Sequence, residues 1–454
     1  MSVIRLVLAL ALALAACGSG TPRQDGGGDA PDVPGGRGGP VRLVDHSLED
    51  DGGRFNALGA SMFWAPWGYK LDRSRLEGEL QYLADRGFHY IRALGVVGDP
   101  VNPDSWDGRE IDEAWPDYDA VIAGLTDLAY DRYGLRVQWT LIGDGQVAVP
   151  TEPERYALAD RFLAMAASRR DKIILFEIAN EYYQNGFDGA DGLAQLRALA
   201  RYMSERTDIL VAASAPTSAD CGAVQEVYGG DVADIATIHF PRTTDQADGV
   251  WRPSRMPWDF AACTGVPVGA NNEPIGPGSS VTSIEEVPPL AAAPLVTWVS
   301  GLPMHVFHSS AGVRGFEAFA DMIGIDAHHH LMALAPGDLA SWSRTECGDA
   351  GSAFRCYARD GTTWVADAMW PELANPTGGA VRVYTATSGD AFFTVAIGIR
   401  AELQLEALRA LQLEVVDPIT NQVIDSRTLA PGEIVLVGDG RELIVVRGTT
   451  APAE

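Results

Sequence analysis

Lysine is almost missing from this chain. Lys70 and Lys172 are the only two, and with arginine they make 34 basic residues against 61 acidic ones, a formal net charge of −27. A surface of that sign repels nucleic-acid phosphates and anionic membrane surfaces, so nucleic acid is not an expected partner. Also absent are a Gly-x-Ser-x-Gly nucleophile elbow, a phosphate-binding loop and a dinucleotide fingerprint, which leaves serine-hydrolase and nucleotide-dependent chemistry without a sequence basis. No close Cys-x-x-Cys pair points to metal ligation, and no repeat of solenoid type occurs. The longest apolar stretch near the start is well short of the roughly 20 residues that a bilayer span requires.

What the amino terminus does have is the layout of an export signal. Residues 1–17 begin with Met-Ser-Val-Ile-Arg, continue with an apolar stretch over 6–16 and end in small residues before Cys17. Leu14-Ala15-Ala16-Cys17 resembles a bacterial lipobox, which implies lipidation of Cys17. The protein is then expected to be exported and lipid-anchored to the cell envelope, at the outer membrane in a Gram-negative host; simple cleavage near Ala16 is the alternative. Residues 18–40 are rich in Gly and Pro, carry few apolar side chains and are expected to form a flexible tether. Four cysteines follow, Cys221, Cys263, Cys347 and Cys356, an even number that favours disulfides in an exported chain. The short separation of Cys347 and Cys356 favours that pair and leaves Cys221 with Cys263, with other connectivities open.

Between 41 and 336, apolar runs alternate with patterns of helical period, as a parallel α/β architecture requires. Strands are expected over 56–63, 88–94, 136–142, 173–180, 209–215, 235–240, 266–273 and 304–308. Eight such strands close a TIM barrel, and 454 residues leave room for a smaller second domain. Helical spacing recurs at Leu76, Leu80 and Leu83, at Val121, Leu125 and Leu128, and at Leu193, Leu196 and Leu199. From 337 to 454 that spacing gives way to short β-like runs, with hairpins expected at Asp417-Pro418 and at Gly438-Asp439-Gly440. The expected fold is therefore α/β, a (β/α)8 TIM barrel followed by a small C-terminal β-sandwich that supports the barrel or binds carbohydrate.

Active sites of such barrels lie at the carboxyl ends of the strands. The residues closing or following the runs are Trp64 and Trp67, Arg92, Asp144, Asn180 and Glu181, His239, Glu273 and His308. Glu181 closes Ile173-Ile-Leu-Phe-Glu-Ile-Ala-Asn-Glu181, and Glu273 closes Val266-Pro-Val-Gly-Ala-Asn-Asn-Glu273. Two carboxylates delivered to one mouth are what cleavage of a glycosidic bond needs, one to protonate the leaving oxygen and one to attack the anomeric carbon. Strand alternation also turns Glu177 into the barrel, where a buried carboxylate needs a partner such as Arg92.

The phrase Phe176-Glu177-Ile178-Ala179-Asn180-Glu181, with a second strand-terminal Glu about ninety residues on, resembles clan A glycoside hydrolases, most closely the cellulase-like family 5. The resemblance covers roughly residues 54–335. It implies a retaining hydrolase of β-glycosidic bonds in a polysaccharide or oligosaccharide, with Glu181 as acid/base and Glu273 as nucleophile. It further implies that Asn180 bonds the sugar 2-hydroxyl and that Arg92 lies near the nucleophile. Trp64, Trp67 and His308 are candidates for sugar contact, His239 for tuning the acid/base or for sugar contact, and Asp144, Tyr182 and Tyr183 for cleft lining. The chain departs from the family pattern in Tyr182 after the acid/base, where Pro is usual. It also has Ile238-His239-Phe240-Pro241 in place of His-x-Tyr, and Phe307 with His308 where a Trp is common.

The two glutamates must differ in ionisation, and the charge of Glu273 is expected to raise the pKa of Glu181 so that it starts protonated. The acidic surface suits neutral glycans better than polyanionic ones. No cofactor or metal is expected, because His328-His329-His330 falls on an expected final helix that fans consecutive residues to different faces. Two other readings stay open: a barrel that binds glycan without cleaving it, and a metal-dependent hydrolase.

Overall fold

A computed structural model describes residues 38–102, 104–244, 249–274, 276–278, 283–349, 351–360, 363–366, 381–399, 403–438 and 440–450. Cys17, the signal segment 1–17 and all of the expected tether before residue 38 lie outside the described residues. Among the described residues, no helix is long and apolar enough to cross a membrane.

The described residues open with a small antiparallel sheet that the sequence reading missed: β1 (Arg42–Val44), β2 (Ser47–Asp50) and β3 (Gly53–Phe55). Eight parallel strands follow, β4 (Ala57–Ser61), β5 (Tyr90–Val96), β6 (Arg136–Ile142), β7 (Ile173–Ala179), β8 (Val211–Ser214), β9 (Ala236–Ile238), β10 (Gly269–Asn271) and β11 (Met304–Phe307). Their neighbour order is β8-β7-β6-β5-β4-β11-β10-β9, each strand of the first set beside its chain successor and β4 beside β11. All seven residues of β5, β6 and β7 are buried, because helices cover the outer face while the barrel interior fills the inner one.

The seam between β8 and β9 is closed by a side chain rather than a full ladder. Val211 O accepts from Asp234 N at 2.9 Å, and the hydroxyl of Tyr228 occupies the space beyond. It donates to Ser214 O at 2.8 Å and accepts from the backbone N–H groups of Ser214 and Thr237, each at 3.1 Å. Buried backbone groups must be paired somewhere, and here a phenol does it.

The helices meet their expectations. Helix Arg73–Asp85 buries Leu76, Leu80 and Leu83, helix Tyr118–Tyr133 buries Val121 and Leu125, and helix Gly189–Ser204 buries Leu193, Leu196 and Leu199. At the amino-terminal mouth of the barrel, Leu48 and Phe55 of the small sheet pack with Tyr90, Leu175, Leu210 and Met304. Beside them Arg136 and Asp50 form a buried ion pair at 3.0 Å.

Among the described residues ten more strands follow: β12 (Ser343–Thr345), β13 (Phe354–Asp360), β14 (Thr363–Ala366), β15 (Arg382–Ser388), β16 (Ala391–Ile397), β17 (Leu403–Ala407), β18 (Leu411–Asp417), β19 (Gln422–Leu429), β20 (Ile434–Val437) and β21 (Leu443–Thr450). They form two antiparallel sheets, ordered β12-β15-β16-β21-β18-β19 and β14-β13-β17-β20, so the fold is a TIM barrel with a C-terminal β-sandwich. The hairpin at Asp417-Pro418 is present between β18 and β19. The one expected at Gly438–Gly440 is not: β20 pairs with β17 in one sheet, and β21 lies between β16 and β18 in the other. Gly438 and Gly440 both have positive φ, 99° and 72°, but a pair of glycines does not specify which sheet the chain enters next. Disulfides join Cys221 to Cys263 and Cys347 to Cys356.

The larger sheet is apolar on both faces. Phe392, Ala396, Ile444 and Val446 point into the sandwich, while Phe393, Val395, Leu443 and Val445 belong to the barrel's own core. The contact is made through helix Val287–Val299, whose residues from Pro289 to Val299 are all buried. Its run Val-Pro-Pro-Leu-Ala-Ala-Ala-Pro-Leu-Val-Thr-Trp-Val has no polar face because protein covers every side.

Candidate active site

Arg92 organises the carboxyl-terminal mouth. It is not the end of its strand, since β5 continues to Val96; as a mid-strand residue its fully buried side chain reaches three carboxyl or amide oxygens. Nη1 donates to Glu273 Oε1 at 2.6 Å, Nη2 to Glu177 Oε2 at 2.8 Å and to Asn180 Oδ1 at 2.7 Å. Glu177 also accepts from Thr140 Oγ1 at 2.5 Å and from Asn272 Nδ2 at 3.0 Å. Gln138 Nε2 in turn donates to Asn272 Oδ1 at 2.8 Å. The inward Glu177 thus has the cationic partner expected of it, and side chains from β5, β6, β7 and the end of β10 are locked together. A planar guanidinium with five donors suits this branching role in a way that lysine cannot.

Glu273 lies at the centre, 4% exposed. Its second oxygen, Oε2, is 3.5 Å from His239 Nδ1, 3.8 Å from Arg242 Nη2 and 3.9 Å from His308 Nε2. Burial alone would push its carboxyl up, but His239, His308, Arg92 and Arg242 together hold it well below the usual range. Glu273 is therefore an anion.

Glu181 is set by an unusual backbone. Its φ is +41°, in the left-handed region that side chains other than glycine rarely adopt. Surrounding bonds impose this turn: Asn180 N donates to Ile142 O at 2.9 Å, Tyr182 N to Ser214 Oγ at 2.9 Å, and Gln184 N to Glu181 O at 2.8 Å. Such over-determined local strain is a feature of functional positions. The carboxylate is more open than that of Glu273, with Oε1 3.1 Å from His239 Nδ1 and Oε2 accepting from Gln184 Nε2 at 3.0 Å.

The expectation of a raised pKa at Glu181 needs correction for the free protein. Burial pushes its carboxyl up, and the charge of Glu273 adds to this, but the hydrogen bond and charge of His239, with help from Arg242, outweigh both and hold it below the usual value. Sequence position makes His239 a candidate to tune the acid/base, but that it sits 3.1 Å from Glu181 and outweighs Glu273 is a three-dimensional fact.

Other candidates divide. His308 joins the cluster: Nδ1 is 2.9 Å from Ser61 Oγ, and burial pushes its pKa down to about 4, so its ring is neutral at ordinary pH. Trp64 does not line the cleft. It is fully buried with Nε1 bonded to Ala311 O at 3.0 Å, because the chain turns directly into helix Ala65–Leu71 and folds the indole underneath. Trp67, half-buried on that helix, packs against the guanidinium of Arg109 at 4.8 Å. Asp144 is committed to structure, accepting from Gly98 N and Trp106 Nε1, each at 2.8 Å. Tyr182 and Tyr183 pack edge to face at 5.6 Å.

Arg242 was missed by the sequence reading. It follows His239 by three residues, and only a systematic search for cations beyond each strand end would have found it. Glu181, His239 and Glu273 each offer a ligand atom within 4.8 Å of the others, a set that could chelate a metal ion. A divalent cation there would face the guanidinium groups of Arg92 and Arg242 on the same carboxylate. The histidine triplet fans out as its helix, Ile325–Leu334, requires: His328 is buried, bonded to Gly324 O at 2.8 Å, while His329 is exposed.

No family model matches the sequence, and no curated protein matches it either. Solved structures do. One described as a glycoside hydrolase superposes over 92% of this chain and 98% of its own, with a TM-score of 0.65 and 12% identity. A family 5 glycoside hydrolase from Bacteroides vulgatus covers 92% and 94%, with a TM-score of 0.66, also at 12% identity. The structural neighbours are clan A glycoside hydrolases. The shared architecture includes the sandwich as well as the barrel, since nearly the whole of each chain is matched.

Proposed function

We propose that this protein is a retaining glycoside hydrolase that cleaves β-glycosidic bonds of a polysaccharide or oligosaccharide by double displacement. The observation that carries this reading is the carboxylate pair: oxygens of Glu181 and Glu273 lie within 4.8 Å at the carboxyl-terminal mouth of the barrel. Retaining enzymes place their carboxyl groups about 5 to 5.5 Å apart, whereas inverting enzymes leave room for water between them.

The environments divide the roles. Glu273, buried and held ionised, attacks the anomeric carbon to form a glycosyl-enzyme ester. Glu181, more open, protonates the departing oxygen. In the free protein its proton affinity is depressed by His239, and the two side chains form one hydrogen-bonded pair. Substrate excludes water from the site, and this further burial of the Glu181 carboxyl favours its neutral, acid form. Once Glu273 is esterified its charge is gone, and Glu181 ionises readily to activate water for the second displacement. Asn180 has its oxygen fixed by Arg92, which leaves the amide N–H groups to donate to a sugar hydroxyl.

Trapping with activated fluoroglycosides tests the nucleophile: a covalent sugar on Glu273 is expected, and no adduct across a sugar panel would favour a barrel that only binds glycan. Glu181→Gln should slow substrates with poor leaving groups by about 10²- to 10⁴-fold and activated aryl glycosides far less, because only the former need a proton in the first step. Equal losses on both would overturn the assignment. We further propose that the enzyme is exported and acts at the cell envelope, anchored through Cys17.

A further inference from the structure

We propose that the sugar seated beside Glu273 carries an anionic substituent, a carboxylate or a sulfate ester, and that Arg242 receives it. The inference rests on the glycosidase reading for the identity of the ligand as a sugar. It rests on Arg242 for the charge.

Arg242 leaves the barrel just after β9 and turns back over the mouth, its side chain 13% exposed. Among the described residues its ion-pair partner is Glu273, with Oε2 at 3.8 Å, longer than a hydrogen bond. No described residue accepts a hydrogen bond from it. Glu273 does not need this cation, because Arg92 already holds its other oxygen at 2.6 Å from a fully buried position. The second guanidinium is therefore surplus to the nucleophile.

It also opposes the acid. Arg242 is among the charges that depress the proton affinity of Glu181, so in the free site it disfavours the form that must donate a proton. A substrate anion paired with Arg242 would neutralise that influence at the moment the proton is required. A planar guanidinium sheltered from bulk water matches two oxygens of a carboxylate or sulfate. A site built to bond such a group discriminates strongly against analogues without it, because its own donors would be left unpaired.

The acidic surface limits the substrate rather than forbidding it. Its field repels polyanions at a distance, but fades over about 8 Å at physiological ionic strength. A glycan with an occasional acidic sugar on a largely neutral backbone fits both facts.

The test compares aryl β-hexosides with the matching uronides and 6-sulfates on the wild type, Arg242→Gln and Arg242→Lys. The wild type is expected to show kcat/KM at least tenfold higher for one acidic member than for the neutral one, and which member wins identifies the anion. Arg242→Gln should lose at least tenfold more on that member than on the neutral one, with Arg242→Lys in between. Preference for the neutral sugar, or equal losses on both, would overturn the proposal. Equilibrium binding of free hexose, hexuronate and hexose 6-sulfate to Glu181→Gln separates this from failure of the hydrolase reading. Anion preference abolished by adding Arg242→Gln supports the inference even without turnover, and no preference overturns it.

Discussion

His239 Nδ1 stands 3.1 Å from Oε1 of Glu181. This contact links the residue that must give up a proton to the residue best placed to compete for it.

The pH dependence follows. The acid form of Glu181 is needed, and His239 lowers the pH at which that form is lost, so the alkaline limb of kcat/KM should lie to the acidic side in the wild type. His239→Phe removes the bond and the charge, and the limb should move to higher pH for substrates with poor leaving groups. Activated substrates, which bypass the acid in the first step, should show little movement. A limb that stays in place or shifts down in the variant would contradict the arrangement.

Arg92→Met should destabilise the fold by about 3 to 5 kcal/mol, since Glu177 would lose its ion-pair partner and Glu273 its closest one while both stay buried. Urea unfolding measures this, and adding Glu177→Gln should recover part of the loss. Acid should act on the same centre. Because Glu273 is held below the ordinary carboxylate range, its contribution to stability is complete above that range and fades as the pH falls through its folded value. Glu273→Gln should flatten this acid dependence.

Tyr228→Phe should cost about 1 to 3 kcal/mol for each group left unpaired at the β8–β9 seam. Amide hydrogen exchange at Ser214 and Thr237 should rise more than in β5 or β6. Uniform exchange across all strands would show that the phenol is not what closes the barrel there.

Cys17→Ser should release active enzyme from the membrane fraction. Every described residue of the candidate site lies at Ser61 or beyond, so losing the anchor leaves the site's own residues in place. Loss of activity on release would show that the segment does more than tether.

The sequence conveyed what period and spacing can convey. Eight apolar runs located eight barrel strands, including all of β6, because a strand covered on both faces has no polar positions to blur it. Alternation along β7 turned Glu177 inward, and its need for a cation pointed to Arg92. What stayed hidden depends on neighbours distant in the chain. Trp64 looked like a sugar platform until the fold placed it beneath a helix, and β1 to β3 lack a pattern distinct from a loop. The depression of Glu181 required knowing that β9 brings His239 against it. Arg242 is one arginine in an ordinary loop until two strand ends are set side by side.

Helix Val287–Val299 is at once an outer helix of the barrel and the inner wall against which the larger sheet packs. With no polar face to return to water, it cannot serve one partner without the other. The barrel and sandwich should therefore be inherited as a pair. Recombination that shuffles catalytic barrels among accessory modules would be selected against at this junction, and a laboratory graft would have to carry the helix and its sheet together.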